Sequence, residues 1–253
     1  MKNIYFVNLI KIFKRLLNKK INNVKKIAIS QYLPLSKFNY FEKKIHPKHA
    51  YYKEVLLSLN TDNLWVETNL NCFLNLFEEY QERKINFLEL GSYQGASAFL
   101  FLSLLRNSKI TCVDSFLDPL NYKLFKKNLK EFLVKERVTI SESSTLSFFS
   151  KEMKKNFYDI IYIDAGHGYS DVTIDIHCSF DQVNAGGIII LDDYEWYEQN
   201  LMSMDKNVRL AINDFLERAH GCYEVLHHGY IVILKKIKDF NGFQLSENYY
   251  KIK

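Results

Sequence analysis

The chain has 253 residues, 47% of them apolar and 15% aromatic, enough for one large domain with appendages and a sizeable core. Its cysteines, at positions 72, 112, 178 and 222, have no paired spacing, which excludes a zinc site or disulfide framework and fits a reducing, cytoplasmic compartment with buried inert thiols at Cys112 and Cys178. The formal charge is +5, but residues 1–48 alone carry +11 and the remainder −6, so the basic balance belongs to an arm and gives the main domain no nucleic-acid groove.

Residues 1–45 form that arm. Within 1–30, Ile4, Val7, Ile10, Phe13, Leu16, Leu17 and Ile21 recur near helical spacing with Lys11, Lys14, Arg15, Lys19 and Lys20 between them. The apolar runs are too short to span a bilayer. Basic interruptions and the lack of a small-residue cleavage site argue against a signal peptide. Two readings stand: a helix lying on an anionic membrane surface, or a solvated arm covering the main domain or a partner subunit. Residues 46–84 read as a helical cap, with one helix from His46-Pro47 to about Asn60 and another from about Asn63 to Tyr80. His46 and His49 read as a solvated helix start rather than a metal pair.

From residue 85 short apolar runs alternate with helix-length segments, the pattern of buried parallel strands in a doubly wound α/β sheet. The predicted strands are Ile85–Leu90, Lys109–Asp114, Arg137–Ser141, Tyr158–Asp164 and Gly187–Leu191. Helices are expected from about Gly95 to Arg106, from Pro119 through Leu133, through about Lys154, from about Ser170 to Val183, and over about Asn207–Ala219. Two last strands, Tyr223–Leu226 and Tyr230–Leu234, are separated by only His227-His228-Gly229 and must be antiparallel. The core is thus residues 85–235, with a polar tail at 236–253. The fold class is a Rossmann-like α/β sheet of seven strands ending in an antiparallel hairpin.

In an open α/β sheet ligands bind outside the carboxyl ends of the strands, which here carry Glu89, Gly91, Asp114, Asp164, Asp192 and Asp193. Glu89-Leu90-Gly91-Ser92-Tyr93-Gln94-Gly95 joins a strand to a helix but lacks the G-x-G-x-x-G spacing of dinucleotide binders. Asp114 ends the next strand, where an acid can accept hydrogen bonds from both ribose hydroxyls. Together they suggest a nucleoside-bearing cofactor approached closely by the backbone at Gly91. Asp164, Asp192 and Asp193 end neighbouring strands. Such carboxylates repel one another unless a cation binds or one is protonated, and all-oxygen ligation suits Mg²⁺; a strand end and a turn cap are the structural alternative. His167, flanked by Gly166 and Gly168 after the fourth strand, is a candidate general base for a substrate hydroxyl, since imidazole changes charge between pH 5 and 8. A further metal ligand is its second reading. Tyr194, Trp196 and Tyr197 could wall an acceptor pocket or pack under a loop.

The run Leu88–Ser97 resembles the cofactor loop of catechol-type, class I S-adenosylmethionine-dependent O-methyltransferases. The whole of 50–235 is similar to bacterial O-methyltransferases that modify sugars of macrolides. The resemblance implies S-adenosylmethionine as cofactor. It sets Glu89 near the methionine end, Gly91, Ser92 and Gly95 in the loop beneath, Asp114 on the ribose, and Glu142 or Ser143 beside the adenine. It also implies a Mg²⁺ or other divalent ion on Asp164, Asp192 and Asp193. The family often has Asn where Asp193 stands, and a lysine where His167 stands. The chain departs too at Ser141-Glu142-Ser143-Ser144, where Gly-Asp or Gly-Ala is commoner. A sugar or glycan hydroxyl is the expected acceptor, with a small phenol second and a non-catalytic cofactor-binding module third. The absence of an Asn-Pro-Pro-aromatic motif sets nucleic-acid methylation aside.

Overall fold

A computed structural model of the chain describes residues 41, 44–196 and 207–240. The basic segment 1–30, Tyr197 and the tail beyond residue 240 lie outside the described residues. The cap contains α1 (His49–Leu57), a 3-10 turn (Trp65–Asn69), α2 (Leu70–Phe77) and a second 3-10 turn (Glu78–Tyr80). The core follows as β1 (Asn86–Leu90), α3 (Ala96–Leu104), β2 (Lys109–Asp114), α4 (Pro119–Asn128), α5 (Lys130–Val134), β3 (Val138–Glu142), α6 (Thr145–Glu152), β4 (Tyr158–Ile163), α7 (Tyr169–Gln182), β5 (Val183–Leu191), α8 (Val208–Arg218), β6 (Tyr223–His228) and β7 (Val232–Lys236).

These strands form a 7-stranded sheet in the order β3-β2-β1-β4-β5-β7-β6. The first five are parallel; β7 runs antiparallel between β5 and β6. Winding proceeds outward from β1 to β3 on one side and restarts at β4 on the other. The β1/β4 boundary is therefore the topological switch point, where the crevice of such sheets opens. The predicted Rossmann-like fold with an antiparallel terminal hairpin is the observed one.

Strand periodicity separates two cores. Phe87, Ile110, Cys112, Ile160, Tyr162, Ile188, Ile190 and Ile233 face the cap and α3. Leu88, Leu90, Val113, Ile161, Ile163, Ile189, Leu191 and Val232 face α7 and α8. The cap is fastened by aromatic packing: Phe77 lies 6.4 Å from Phe87 and 5.5 Å from Phe101, and Phe73 packs edge-on to Phe101 at 5.1 Å. Fully burying such a ring contributes roughly 1.5–3 kcal/mol. Glu89 and Tyr162 alternate onto this cap side of the sheet, as do Asp164 and Asp192 one step past their strands.

Helix starts follow local chemistry. Asp118 accepts from Leu120 N at 2.8 Å with Pro119 in the first turn, Ser144 accepts from Ser147 N at 3.2 Å, and Asn207 accepts from Leu210 N at 2.9 Å. Arg137 ties off the end of α3 by donating to Leu102 O at 3.0 Å and Leu105 O at 2.6 Å.

Several boundaries differ from the sequence reading. The helix expected through Leu133 is interrupted at Leu129, whose backbone leaves helical geometry between α4 and α5. β5 begins at Val183 rather than Gly187, because Val183 already pairs with Tyr158 across an irregular register. The hairpin turn is displaced: His227 and His228 are strand residues paired with Ile233 and Val232, and both are buried. His46 is not solvated. It is buried, its amide donates to Asn71 Oδ1 at 2.8 Å, and its Nδ1 accepts from Lys48 N at 3.1 Å. Cys112 is buried as expected, whereas Cys178 is only half-buried.

Candidate active site

Register brings the acids together. Ile163 pairs with Leu191, so the next residues, Asp164 and Asp192, leave adjacent strand ends. Asp193 then takes a left-handed backbone (φ 60°), a conformation its short polar side chain tolerates. That turn brings Asp193 Oδ2 to 2.7 Å from His167 Nε2, while Asp164 Oδ1 lies 3.9 Å from the same nitrogen. Each of Asp164, His167 and Asp193 offers one ligand atom, and these atoms lie within 4.8 Å of one another. Tyr230, in the hairpin turn, donates to Asp193 Oδ1 at 3.1 Å.

Asp192, the expected third oxygen ligand, leaves the strand end next to Asp164 with donors on both carboxylate oxygens. Its Oδ2 accepts from the Tyr162 hydroxyl, and its Oδ1 accepts from Asp193 N at 2.7 Å and from Asn69 Nδ2 at 3.4 Å. The Tyr162 oxygen also lies 3.2 Å from Asp164 Oδ2, and its one proton serves a single acid at a time. The converging trio thus joins His167 to two of the three expected acids, Asp164 and Asp193. The structural alternative, that Asp193 caps a turn, is met in part: Trp196 N donates to its carbonyl at 3.1 Å.

The electrostatics show the cost of this crowding. Burial, then the charges of Asp192 and Asp193, holds the Asp164 carboxyl well above the ordinary range, although its side chain stays 29% exposed toward the cleft. Burial and the Asp193 charge push Asp192 to about 7. A divalent cation among these groups would relieve the repulsion, and two carboxylates with one imidazole form a donor set that Mg²⁺ or Mn²⁺ accepts. The residues present therefore fit such an ion.

The glycine loop abuts this cluster. Gly91 has φ +86°, and a Cβ there would stand 1.9 Å from the carbonyl oxygen of Asp164. The glycine expected beneath a cofactor is thus also what allows β1 and β4 to close at the switch point. Gly95 is the left-handed N-cap of α3, and its missing Cβ leaves room for Phe125 at 3.0 Å. Asp114 is pre-set by the loop, with Oδ2 accepting from Tyr93 N and Oδ1 from Phe116 N, each at 2.8 Å. Each oxygen keeps a lone pair for a ribose hydroxyl. Glu89 is fully buried; Ser92 donates to its Oε2 at 2.6 Å, while Oε1 has no hydrogen-bond partner. Burial raises its pKa to about 7, against the opposing effect of Ser92, Ser97 and Cys112. A buried carboxylate oxygen left over at the loop fits the polar end of a bound cofactor. Glu142 pairs with Asp114 across β2 and β3, and Ser143 N donates to Asp114 O at 2.9 Å, so both stand at the same rim.

Beside the trio opens a cleft whose apolar wall includes Val172, Val208 and Ile212. Trp196 packs on the His167 ring at 5.0 Å. Tyr194 does not wall the cleft: it is buried, bonded to Asn213 Oδ1 at 3.0 Å and packed on His228. Sequence reasoning missed Tyr162, Tyr230 and Asn69. Tyr162 carried a faint signal, a tyrosine two positions before a strand-end acid and hence on its face; Asn69 carried none.

Residues 88–194 match a family model described as a methyltransferase domain. An uncharacterized protein, R132, of Acanthamoeba polyphaga mimivirus is 26% identical over 170 residues, covering 63% of this chain and 75% of that protein. A putative O-methyltransferase from Klebsiella pneumoniae aligns with TM-score 0.54 and 18% identity over 78% of this chain and 92% of its own. The MycE methyltransferase of the mycinamycin biosynthetic pathway, solved with Mg, SAH and mycinamycin VI, aligns with TM-score 0.56 and 16% identity over 76% of this chain and 55% of its own. At these identities the likeness to solved structures is one of fold. The chain therefore carries, over residues 88–194, a methyltransferase-domain match set in the fold that these O-methyltransferases share.

Proposed function

We propose that this protein is an S-adenosylmethionine-dependent O-methyltransferase, assisted by a divalent cation, that acts on a hydroxyl of a sugar or glycan. The single observation that carries the reading is the meeting of two half-sites at the β1/β4 switch point. The glycine loop with Asp114 and the unpaired Glu89 oxygen touches, through Gly91, the backbone of Asp164, which opens the acidic cluster. The methyltransferase-domain match over 88–194 spans both halves.

Asp114 would hold the ribose, Glu89 and Ser92 would face the methionine end, and Glu142 and Ser143 would border the adenine. Asp164, Asp192 and Asp193 would hold the cation, with His167 donating from Nε2–H to Asp193 beside them. When bound, the cation supplies Lewis acidity that lowers the pKa of a substrate hydroxyl, and S-adenosylmethionine supplies the electrophilic methyl group. The chain's own contribution is alignment and proton transfer. Asp193 and Trp196 fix the His167 ring from its edge and its face. With Nε2 turned to the acids, Nδ1 is the nitrogen available to accept the hydroxyl proton. The sugar preference rests on the resemblance of residues 50–235 to sugar-modifying O-methyltransferases; MycE, solved with mycinamycin VI, shares the fold. A small phenol is the second reading, supported by the apolar wall of the cleft. The +11 arm supports recruitment to an anionic membrane surface, tested by liposome flotation of the full chain against a deletion of residues 1–40.

Calorimetric titration of S-adenosylmethionine, with and without Mg²⁺, tests the cofactor. Saturable binding, followed by methyl transfer to members of a sugar and phenol panel, is the expected outcome. No binding by folded protein would sink the proposal, and transfer to phenols alone would replace the sugar reading.

A further inference from the structure

We propose that the folded core carries a membrane-docking face of its own: the turn at Leu117 and the outer side of α4, which together fit an anionic lipid surface. The inference goes beyond the methyl-transfer reading and stands on residues outside the arm. Residues 49–253 carry a net charge of −6, yet the stretch 119–130 holds four lysines and no acid. Leu120, Lys123 and Lys127 recur at spacings of three and four and so share one side of the helix, with Lys126 beside them, while Phe125 and Asn128 are buried on the other. Leu117, just ahead of the helix, is 91% exposed, and Leu120 is 51% exposed. The turn that presents Leu117 is fixed on both sides. Phe116 N donates to Asp114 Oδ1 at 2.8 Å, and its buried ring packs on Tyr122 at 4.7 Å and Phe125 at 5.1 Å. On the other side Asp118 caps α4 by accepting from Leu120 N at 2.8 Å. A single exposed leucine is ordinary. Two beside a band of lysines make the pattern of an interfacial contact, with leucines entering the acyl boundary and ammonium groups among the lipid phosphates.

Nucleic acid is the competing polyanion. Its binding draws on arginine forks and on open aromatic rings for base stacking. The cations here are lysines, the protruding groups are aliphatic, and the Tyr122 ring lies under Lys126 Nζ at 4.0 Å. Among the described residues no helix is long and apolar enough to cross a membrane, so the attachment open to them is interfacial. Phe125 of α4 and Phe41, the first described residue of the arm, pack against the same core cluster, which places both basic elements on one side of the sheet. Leu117 is three residues past Asp114, so docking by this face sets the cofactor end of the crevice beside the headgroups.

The test is co-sedimentation of the full chain with vesicles of phosphatidylcholine alone and of equal parts phosphatidylcholine and phosphatidylglycerol. Wild-type protein should bind the anionic vesicles only. A lysine near an anionic surface contributes about fivefold to partitioning, so Lys123→Gln with Lys126→Gln should weaken binding about 25-fold with the arm intact. Leu117→Ser with Leu120→Ser should weaken it about fivefold or more. These are surface changes, and melting temperatures should stay within about 2 °C of wild type. Should the leucine pair fold poorly, Leu117→Ser alone, at an almost fully exposed position, takes its place. Wild-type binding that neither pair alters would overturn the inference and leave recruitment to the arm alone. Loss in the lysine pair with none in the leucine pair would also overturn it, since attraction without insertion is not this contact. Tighter binding of a single-stranded RNA than of anionic vesicles, lost in the lysine pair, would assign the face to nucleic acid instead. A wild-type chain that ignores anionic vesicles would remove both the arm's recruitment and this inference, leaving the cofactor reading to its own titration.

Discussion

Gly91 offers the sharpest test of how the two half-sites are joined. A Cβ at this position would lie 1.9 Å from the Asp164 carbonyl oxygen, where ordinary contact begins at 3.4 Å, so the two backbones would have to part by about 1.5 Å. Neither obstacle is a flexible side chain. Gly91 N is held by Val113 O at 2.8 Å, and Asp164 N by Leu90 O at 2.9 Å. Two costs add in Gly91→Ala: roughly 1–2 kcal/mol for an L-residue at positive φ, and about 1–3 kcal/mol for overpacking a rigid site. Together they come to about 2–5 kcal/mol, and at roughly 2–4 °C per kcal/mol the melting temperature should fall by about 4–20 °C. Gly186→Ala is the control. Its φ is +81°, nearly the same, but nothing lies within 4 Å of its added Cβ. It should carry the φ cost alone, about 1–2 kcal/mol. Thermal unfolding by circular dichroism of both variants isolates the steric part. If the two melt together, the close approach of β1 to β4 is wrong and the coupling between loop and acidic cluster falls with it.

The buried acids set a pH dependence. Glu89 and Asp192 have folded-state pKa values raised to about 7, so the native state binds more protons than the unfolded chain between their ordinary range and about 7. Stability should therefore be highest below that range and decline as pH rises to about 7, by an amount on the order of 3 kcal/mol per group. Urea unfolding at pH 5 and 7.5 should show that decline, and Glu89→Gln should flatten it; an identical slope in the variant would refute the assignment. Lys236 is 1% exposed and donates to Phe180 O at 2.8 Å and Val183 O at 2.9 Å. Lys236→Met should leave those carbonyls unsatisfied and destabilise by about 2–4 kcal/mol; an unshifted melting temperature would show that water replaces the ammonium. His167→Gln should remove the acidic limb of the pH–rate profile with little change in Mn²⁺ affinity if the ring acts as base. Lost Mn²⁺ binding with the limb retained would make it a ligand only.

The sequence made legible whatever depends on short-range periodicity. Apolar runs ending at Leu90, Asp114, Ile163 and Leu191 located β1, β2, β4 and β5, and the acids just past them lie at the crevice. Features that depend on pairing were hidden. Val183–Gly187 has no alternating pattern, and it becomes strand only because β4 lies beside it. His227 and His228 look like turn residues, yet antiparallel pairing with β7 draws them into the sheet and moves the turn to Gly229–Ile231. The site divides the same way. Asp164, His167 and Asp193 could be gathered by strand order, whereas Asn69 reaches Asp192 across 123 residues of sequence. Tyr162 reads as an ordinary aromatic strand residue until its hydroxyl is seen between two carboxylates.

Those long-range contacts give the cap a role beyond covering a sheet face. It touches both halves of the site through polar groups. Asn69 bonds Asp192, while Gln94, in the glycine loop, accepts from Asp62 N and donates to Asp62 Oδ2, each at 2.9 Å. Asn128 of α4 adds a clamp, donating to Asn60 O at 3.0 Å and to Gln94 O at 2.8 Å. Gln94 is fully buried, so its amide cannot exchange these partners for water without loss. The loop conformation that places Tyr93 N on Asp114 is therefore braced from the cap side, at the next residue along the chain. Cofactor loop, acidic cluster and cap form one hydrogen-bonded unit, and a change confined to Asn60–Asn69 should be felt at both ends of the crevice.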